Sequence, residues 1–152
     1  MEENRASVTE IIEKYRGDVE AMLPYLLWLE RMSGQEVSVN YDPDTNGSGT
    51  MKFPVYDSNF LNFIKIAKNT KFITRNYVYA YTKKRMKTVE DELRVIEKAQ
   101  IMDMEILGSI LAKYVMKGMT KSSVWAEGIR YGVFYKVVAK MKELIEFWTV
   151  PM

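Results

Sequence analysis

The sequence predicts a mainly α fold: a single helical bundle of about six helices, with a β-hairpin or loop inserted near residues 35–57. Three observations predict it. Apolar residues recur at helical spacing, three to four positions apart, through most of the chain. Cap residues precede these stripes, and Gly or Pro follows several of them. Residues 35–57 break that rhythm and alternate like strands around a dense group of turn formers. A length of 152 residues suits one domain over 1–152, and no repeat or linker divides it. A chain this long buries enough surface to need neither metal nor disulfide.

Ser7-Val8-Thr9-Glu10 has the form of a capping box, so a first helix is expected to run to Tyr15 or Arg16. Gly17 and Asp18 then read as a stop and a fresh N-cap. Ala21, Met22, Tyr25, Leu26, Leu29 and Met32 face one way on a second helix, kinked by or starting near Pro24 and ended by Gly34. Val37–Tyr41 and Thr50–Val55 alternate like paired strands, with Pro54 confining the second to an edge. A helix resumes at Asp57 or Ser58, with Phe60, Leu61, Ile64 and Ala67 on one face. Phe72–Thr82 fits helix or strand, and the lack of Gly and Pro from Val55 through Leu107 favours helix.

Thr88 is a good N-cap, with Glu90, Asp91 and Glu92 placed against the helix dipole. The stripe Val89, Leu93, Ile96 fails at Gln100 and Asp103, so a break is expected near Ala99–Met102. A new stripe runs from Ile106 to Val115 and is closed by Gly118. A short helix is expected from Ser122 or Ser123. Gly128 and Gly132 are expected to mark a break before a last helix carrying Val133, Phe134, Val137, Val138, Met141, Leu144, Ile145 and Trp148. Pro151 ends it.

Composition excludes several chemistries. The chain has no His and no Cys, so Ser-His and Cys-His nucleophile systems, ordinary zinc sites and disulfides are ruled out. No cofactor or metal is expected, and no enzymatic activity. Asp42, Asp44, Asn46 and Gly47 match half of a calcium loop, but the position that needs a bidentate Glu holds Phe53. Glu127, between Trp125 and Arg130, is the residue to inspect for carboxylate chemistry. The acidic, polar start lacks a signal peptide's basic and apolar regions, and no apolar run is long enough to cross a bilayer. A cytoplasmic location without a membrane partner is the expectation. Eleven Met residues suit either a forgiving core or a pliable binding surface.

Charge is unevenly spread. Residues 65–87 carry Lys65, Lys68, Lys71, Arg75, Lys83, Lys84, Arg85 and Lys87 with no acid, a net of +8. Residues 1–64 carry −6, and residues 88–152 are neutral. Such a run beside Tyr77, Tyr79 and Tyr81 suits a phosphate backbone with rings stacking on bases. It equally suits a solvated face, or one docked on the acidic first third.

Gly118-Met119-Thr120-Lys121-Ser122-Ser123-Val124-Trp125 resembles the turn and early recognition helix of a bacterial helix-turn-helix. The resemblance covers residues 104–131 loosely and implies that Lys121, Ser122 and Trp125 approach DNA, with Lys113, Lys117 and Arg130 near phosphates. Tyr114 and Glu127 depart from the pattern, which wants a small and an apolar residue there. The alternative is a helix hairpin, with Gly118 after the first helix, Ser122 or Ser123 as N-cap, and Val124 and Trp125 in the core. Gly118–Lys121, Val124-Trp125, Gly132–Tyr135 and Met141–Leu144 also give the C-terminal half a likeness to uncharacterised small helical proteins of Gram-positive gut bacteria and their mobile elements. That likeness implies no activity.

Two functions follow as expectations. The first is a non-catalytic helical interaction module that binds a protein partner or forms a homo-oligomer. The second is a nucleic-acid-binding regulator using the segment 104–131 and the run 65–87, through Lys83, Lys84, Arg85, Lys87, Lys121, Ser122, Trp125 and Arg130. It requires these cations to face one way.

Overall fold

The computed structural model describes residues 2–35, 38–41 and 53–149. The order is α1 (Glu2–Met22), α2 (Leu26–Met32), β1 (Ser38–Tyr41), β2 (Phe53–Tyr56), α3 (Ser58–Lys68), α4 (Tyr77–Lys83), α5 (Val89–Lys98), α6 (Met104–Thr120), α7 (Ser123–Arg130) and α8 (Val133–Thr149). The fold is mostly helical, in rough agreement with the expected bundle. Single 3-10 turns at Leu23–Tyr25 and Ile101–Asp103 join α1 to α2 and α5 to α6. β1 and β2 pair antiparallel, Ser38 opposite Tyr56 and Asn40 opposite Pro54. Residues 42–52, where the turn and the calcium-like residues Asp42, Asp44 and Asn46 fall, lie outside the described residues, as does Pro151.

The expected stop at Gly17 does not occur. α1 runs unbroken through Gly17 and Asp18, and Ser7 lies inside it. The reason is the stripe Val8, Ile12, Tyr15, Val19 and Met22, buried at alternating spacings of four and three. Burying such side chains is worth about 1.5–3 kcal/mol each, against about 1 kcal/mol for one helical Gly. Asp18 caps nothing; its carboxylate instead accepts from the Lys71 amide at 2.9 Å. Pro24 sits in the 3-10 turn, and Gly34, at φ 84°, ends α2.

α3 starts where expected, with Asp57 accepting from the Asn59 amide at 2.7 Å. Its buried face is Phe60, Phe63, Ile64 and Ala67, whereas Leu61 is exposed. Of the ambiguous stretch Phe72–Thr82, only Tyr77 onward is helical. Thr88 and Asp91 form a reciprocal capping box at α5.

The centre of the molecule is α6 and α8. α8 packs on α1, α2, α5, α6 and α7, and α6 also carries α3 and α4. Both are apolar enough to be covered on several sides: α6 buries ten residues from Met104 to Gly118. Their junction is aromatic. Phe134 meets Phe60, Phe63 and Tyr114 edge-on at ring centroid distances of 5.5, 5.6 and 5.8 Å. Such pairs add about 0.5–1.5 kcal/mol each beyond area burial.

Candidate interaction surface

The helix-turn-helix-like segment folds as a tight hairpin in which Tyr114 and Trp125 pack inward while Tyr131 is exposed. Gly118 does not close α6; it is buried in the last turns of a helix that continues to Thr120. A Cβ there would lie 1.9 Å from Trp125 Cδ1, so glycine makes room for the indole. The indole N–H donates to the Val115 carbonyl at 3.1 Å, and the ring packs against Tyr56 and Phe60. Gly128 does the converse: a Cβ there would meet Phe134 at 2.5 Å and Tyr114 at 3.0 Å. Each helix thus offers a glycine to an aromatic of the other. The break falls at Gly132 alone, at φ 75°, and α8 starts at Val133 as expected.

This packing removes Trp125 from a DNA-reading role. Tyr56 reinforces it, its phenol donating to the Ser122 carbonyl and accepting from the Ala126 amide at 3.1 Å. Burial pushes the Tyr56 hydroxyl above its ordinary range. Lys121 is exposed and Ser122 half-buried in the α6–α7 turn. Arg130 lies over the Tyr131 ring at 4.7 Å, and its carbonyl accepts from Gly34, beside the end of α2. Lys83, Lys84, Arg85 and Lys87 are all exposed, around the end of α4 and the approach to α5. The sequence-selected residues therefore fall in two groups, one beside α4–α5 and one on α6–α7. Glu127 is exposed.

The buried carboxylate belongs instead to Glu92, 1% exposed, which sequence reading assigned to the helix dipole. It accepts from the Tyr81 hydroxyl, from the Tyr114 hydroxyl at 2.6 Å and from Lys113 Nζ at 3.1 Å. Lys113 is thus a counter-ion, not a phosphate contact. Its ammonium also lies 4.6 Å from the Tyr81 ring centroid and 5.1 Å from that of Tyr114. Burial, then Glu92, drives both phenols well above the ordinary tyrosine range. Three donors occupy this carboxylate and tie α4, α5 and α6 together. The signal was present in the sequence: Glu92 falls between Val89, Leu93 and Ile96 on the apolar stripe of α5.

Open apolar surface lies along the outer side of α8. Two adjoining grooves, of about 560 and 570 Å³, share Tyr135, Ala139 and Glu143. One runs between α5 and α8, the other between α2 and α8. A third hollow, of about 290 Å³, is lined by Leu144, Phe147 and Trp148. Leu27 is 73% exposed, Phe147 71% and Trp148 46%, and Leu27 and Phe147 share one groove. Lys140 pairs with Glu143 at 3.2 Å and Lys142 with Glu146 at 3.3 Å, so the face carries little net charge. No group of three acidic residues placed to hold a metal ion occurs among the described residues, and no described helix is long and apolar enough to cross a membrane. No protein-family model matches the chain, and no curated protein or solved structure is detectably similar to it.

Proposed function

We propose that the protein is a non-catalytic helical interaction module that self-associates through the outer face of α8. The observation that carries this reading is a knob beside a hole on one helix. Phe147 and Trp148 project near one end of α8, while the grooves around Ala139 open nearer its middle. A face holding both a projection and its receptacle is self-complementary, which is what a two-fold interface requires. Antiparallel apposition of two α8 helices seats each Phe147 in the other copy's Ala139 groove. The neighbouring Lys–Glu pairs favour this occupant, because a locally neutral face neither repels its copy nor selects a charged ligand.

Sedimentation equilibrium from micromolar to millimolar concentration tests the reading. The parent chain is expected to dimerise. Phe147→Asp, which removes the knob, and Ala139→Gln, which fills the hole, should each yield monomers with unchanged far-UV circular dichroism. A parent that stays monomeric throughout, or variants that dimerise as well as the parent, would refute it.

A further inference from the structure

We propose that α4 and the turn after it form a binding site for single-stranded nucleic acid, with Tyr79 stacking on a base and the flanking cations holding phosphates. The site lies on different elements from the α8 face and stands independently of self-association. Its basis is what the structure leaves uncovered. Of the eight cations in residues 65–87, Lys71 alone lies within 4.0 Å of a carboxylate among the described residues, Asp18 at 3.9 Å. The Lys71 end of the run is seated on α1 through Asp18 and the Lys14 carbonyl, whereas the other cations make no ion pair to the described part of the acidic first third. Arg75, Lys83, Lys84, Arg85 and Lys87 are exposed around the short helix α4. Lys84 shares a shallow depression with Lys98, Asp103 and Arg94, the last already paired with Asp91 at 2.9 Å, so the positive surface is confined to α4 and the turn after it.

The apolar centre of this patch is as informative as its charge. Val78 is 59% exposed and Tyr79 72%. Tyr77 packs edge-on to Tyr81, and Tyr81 bonds Glu92, so of the three tyrosines Tyr79 is the one free to stack. Tyr79 and Lys83 are four residues apart and share one side of α4. A ring amid cations matches a strand with accessible bases. A duplex keeps its bases stacked inside and would leave Tyr79 without a partner.

Arg85 supplies an independent observation. It adopts φ 54°, the left-handed conformation that costs a side-chain-bearing residue about 1–2 kcal/mol. The reason for the conformation is clear. Met86 and Arg85 amides bond the Tyr81 and Thr82 carbonyls at 3.0 and 3.2 Å, closing α4 with a motif that normally uses Gly. An arginine there is strained, exposed and without an ion pair among the described residues, so its guanidinium is available to a phosphate.

The test is fluorescence anisotropy of a labelled short oligo(dT), with the full chain. If about four phosphates are neutralised, affinity should fall roughly 50-fold between 50 mM and 200 mM salt. Arg85→Gly relieves the backbone and keeps the fold, yet should weaken binding and reduce the log–log salt slope by about 0.7. Tyr79→Ala should weaken binding roughly tenfold, and Tyr79→Trp should restore it. No binding, or Tyr79→Ala binding like the parent, would overturn the proposal. So would preferential binding to phosphatidylserine vesicles, since the site would then be a lipid surface.

Discussion

Replacing Gly118 with Ala tests the packing on which the α6–α7 hairpin depends. The new methyl would sit 1.9 Å from Trp125 Cδ1 and 2.0 Å from its Nε1, so the indole must move. Moving it strains a close-packed site by about 1–3 kcal/mol and sacrifices the bond to the Val115 carbonyl, about 1 kcal/mol more. Better helix propensity of Ala returns about 1 kcal/mol. The net expectation is a loss of about 2 kcal/mol, read from urea unfolding followed by circular dichroism. The decisive measurement repeats the substitution in a Trp125→Ala background. With the ring gone the clash vanishes, and Gly118→Ala should then stabilise by up to about 1 kcal/mol. Trp125→Ala itself costs about 3–5 kcal/mol, inside the usual stability of a domain. If Gly118→Ala costs as much without the indole as with it, the glycine serves the backbone, as the helix-end reading of the sequence held, and the packing account is wrong.

Glu92→Gln leaves Lys113 without its carboxylate and turns an amide N–H₂ toward donors, so it should destabilise by about 3 kcal/mol in the same assay; the partial exposure of Lys113 keeps the loss at the low end for a broken buried pair. At the alkaline end, Tyr81 and Tyr114 have pKa values raised in the folded state, first by burial. Their contribution is therefore complete below the unfolded value near 10 and is lost as pH rises above it. Stability should fall from about pH 10 upward, and phenolate absorbance of these two residues should appear only with unfolding. Tyr114→Phe should flatten that decline, and an equal slope in the variant would refute the assignment.

Most helices were legible because each buries a stripe that recurs every three to four residues. α8 and α5 emerged with their caps and breaks in place, since Thr88 and Gly132 act locally. Where local signals misled, a distant partner had overridden them. Gly17 and Asp18 look like punctuation, but the stripe from Val8 to Met22 holds α1 together against α3 and α8. Gly118 looks like a helix end because sequence does not show that an indole seven residues later needs its space. Leu61 is a different case, decided by local spacing: Phe60, Phe63, Ile64 and Ala67 keep the helical rhythm, and Leu61, one position after Phe60, falls off that face. The site residues suffered most. Trp125 and Lys113 belong to residue types that bind nucleic acid, but exposure, not type, decides whether they can.

Glu92 links the core to the exposed cations. α4 has seven residues and fully buries only Ala80 among them, far too little to hold a helix of that length by itself. What holds it is its packing on α6, together with the Tyr81–Glu92 bond and the seat of buried Met86 just beyond Arg85. The pose of Tyr79 and the strained turn at Arg85 are thus set in part by a carboxylate on another helix. Glu92→Gln should therefore loosen α4 before the rest of the molecule, and hydrogen exchange of the Lys84 and Met86 amides should accelerate under conditions where amides of α8 stay protected. Oligonucleotide affinity should fall with it, while dimerisation through α8 should not change. Equal acceleration in α4 and α8 would mean that the substitution weakens the whole bundle, and that the polar cluster supports α4 no more than any other element.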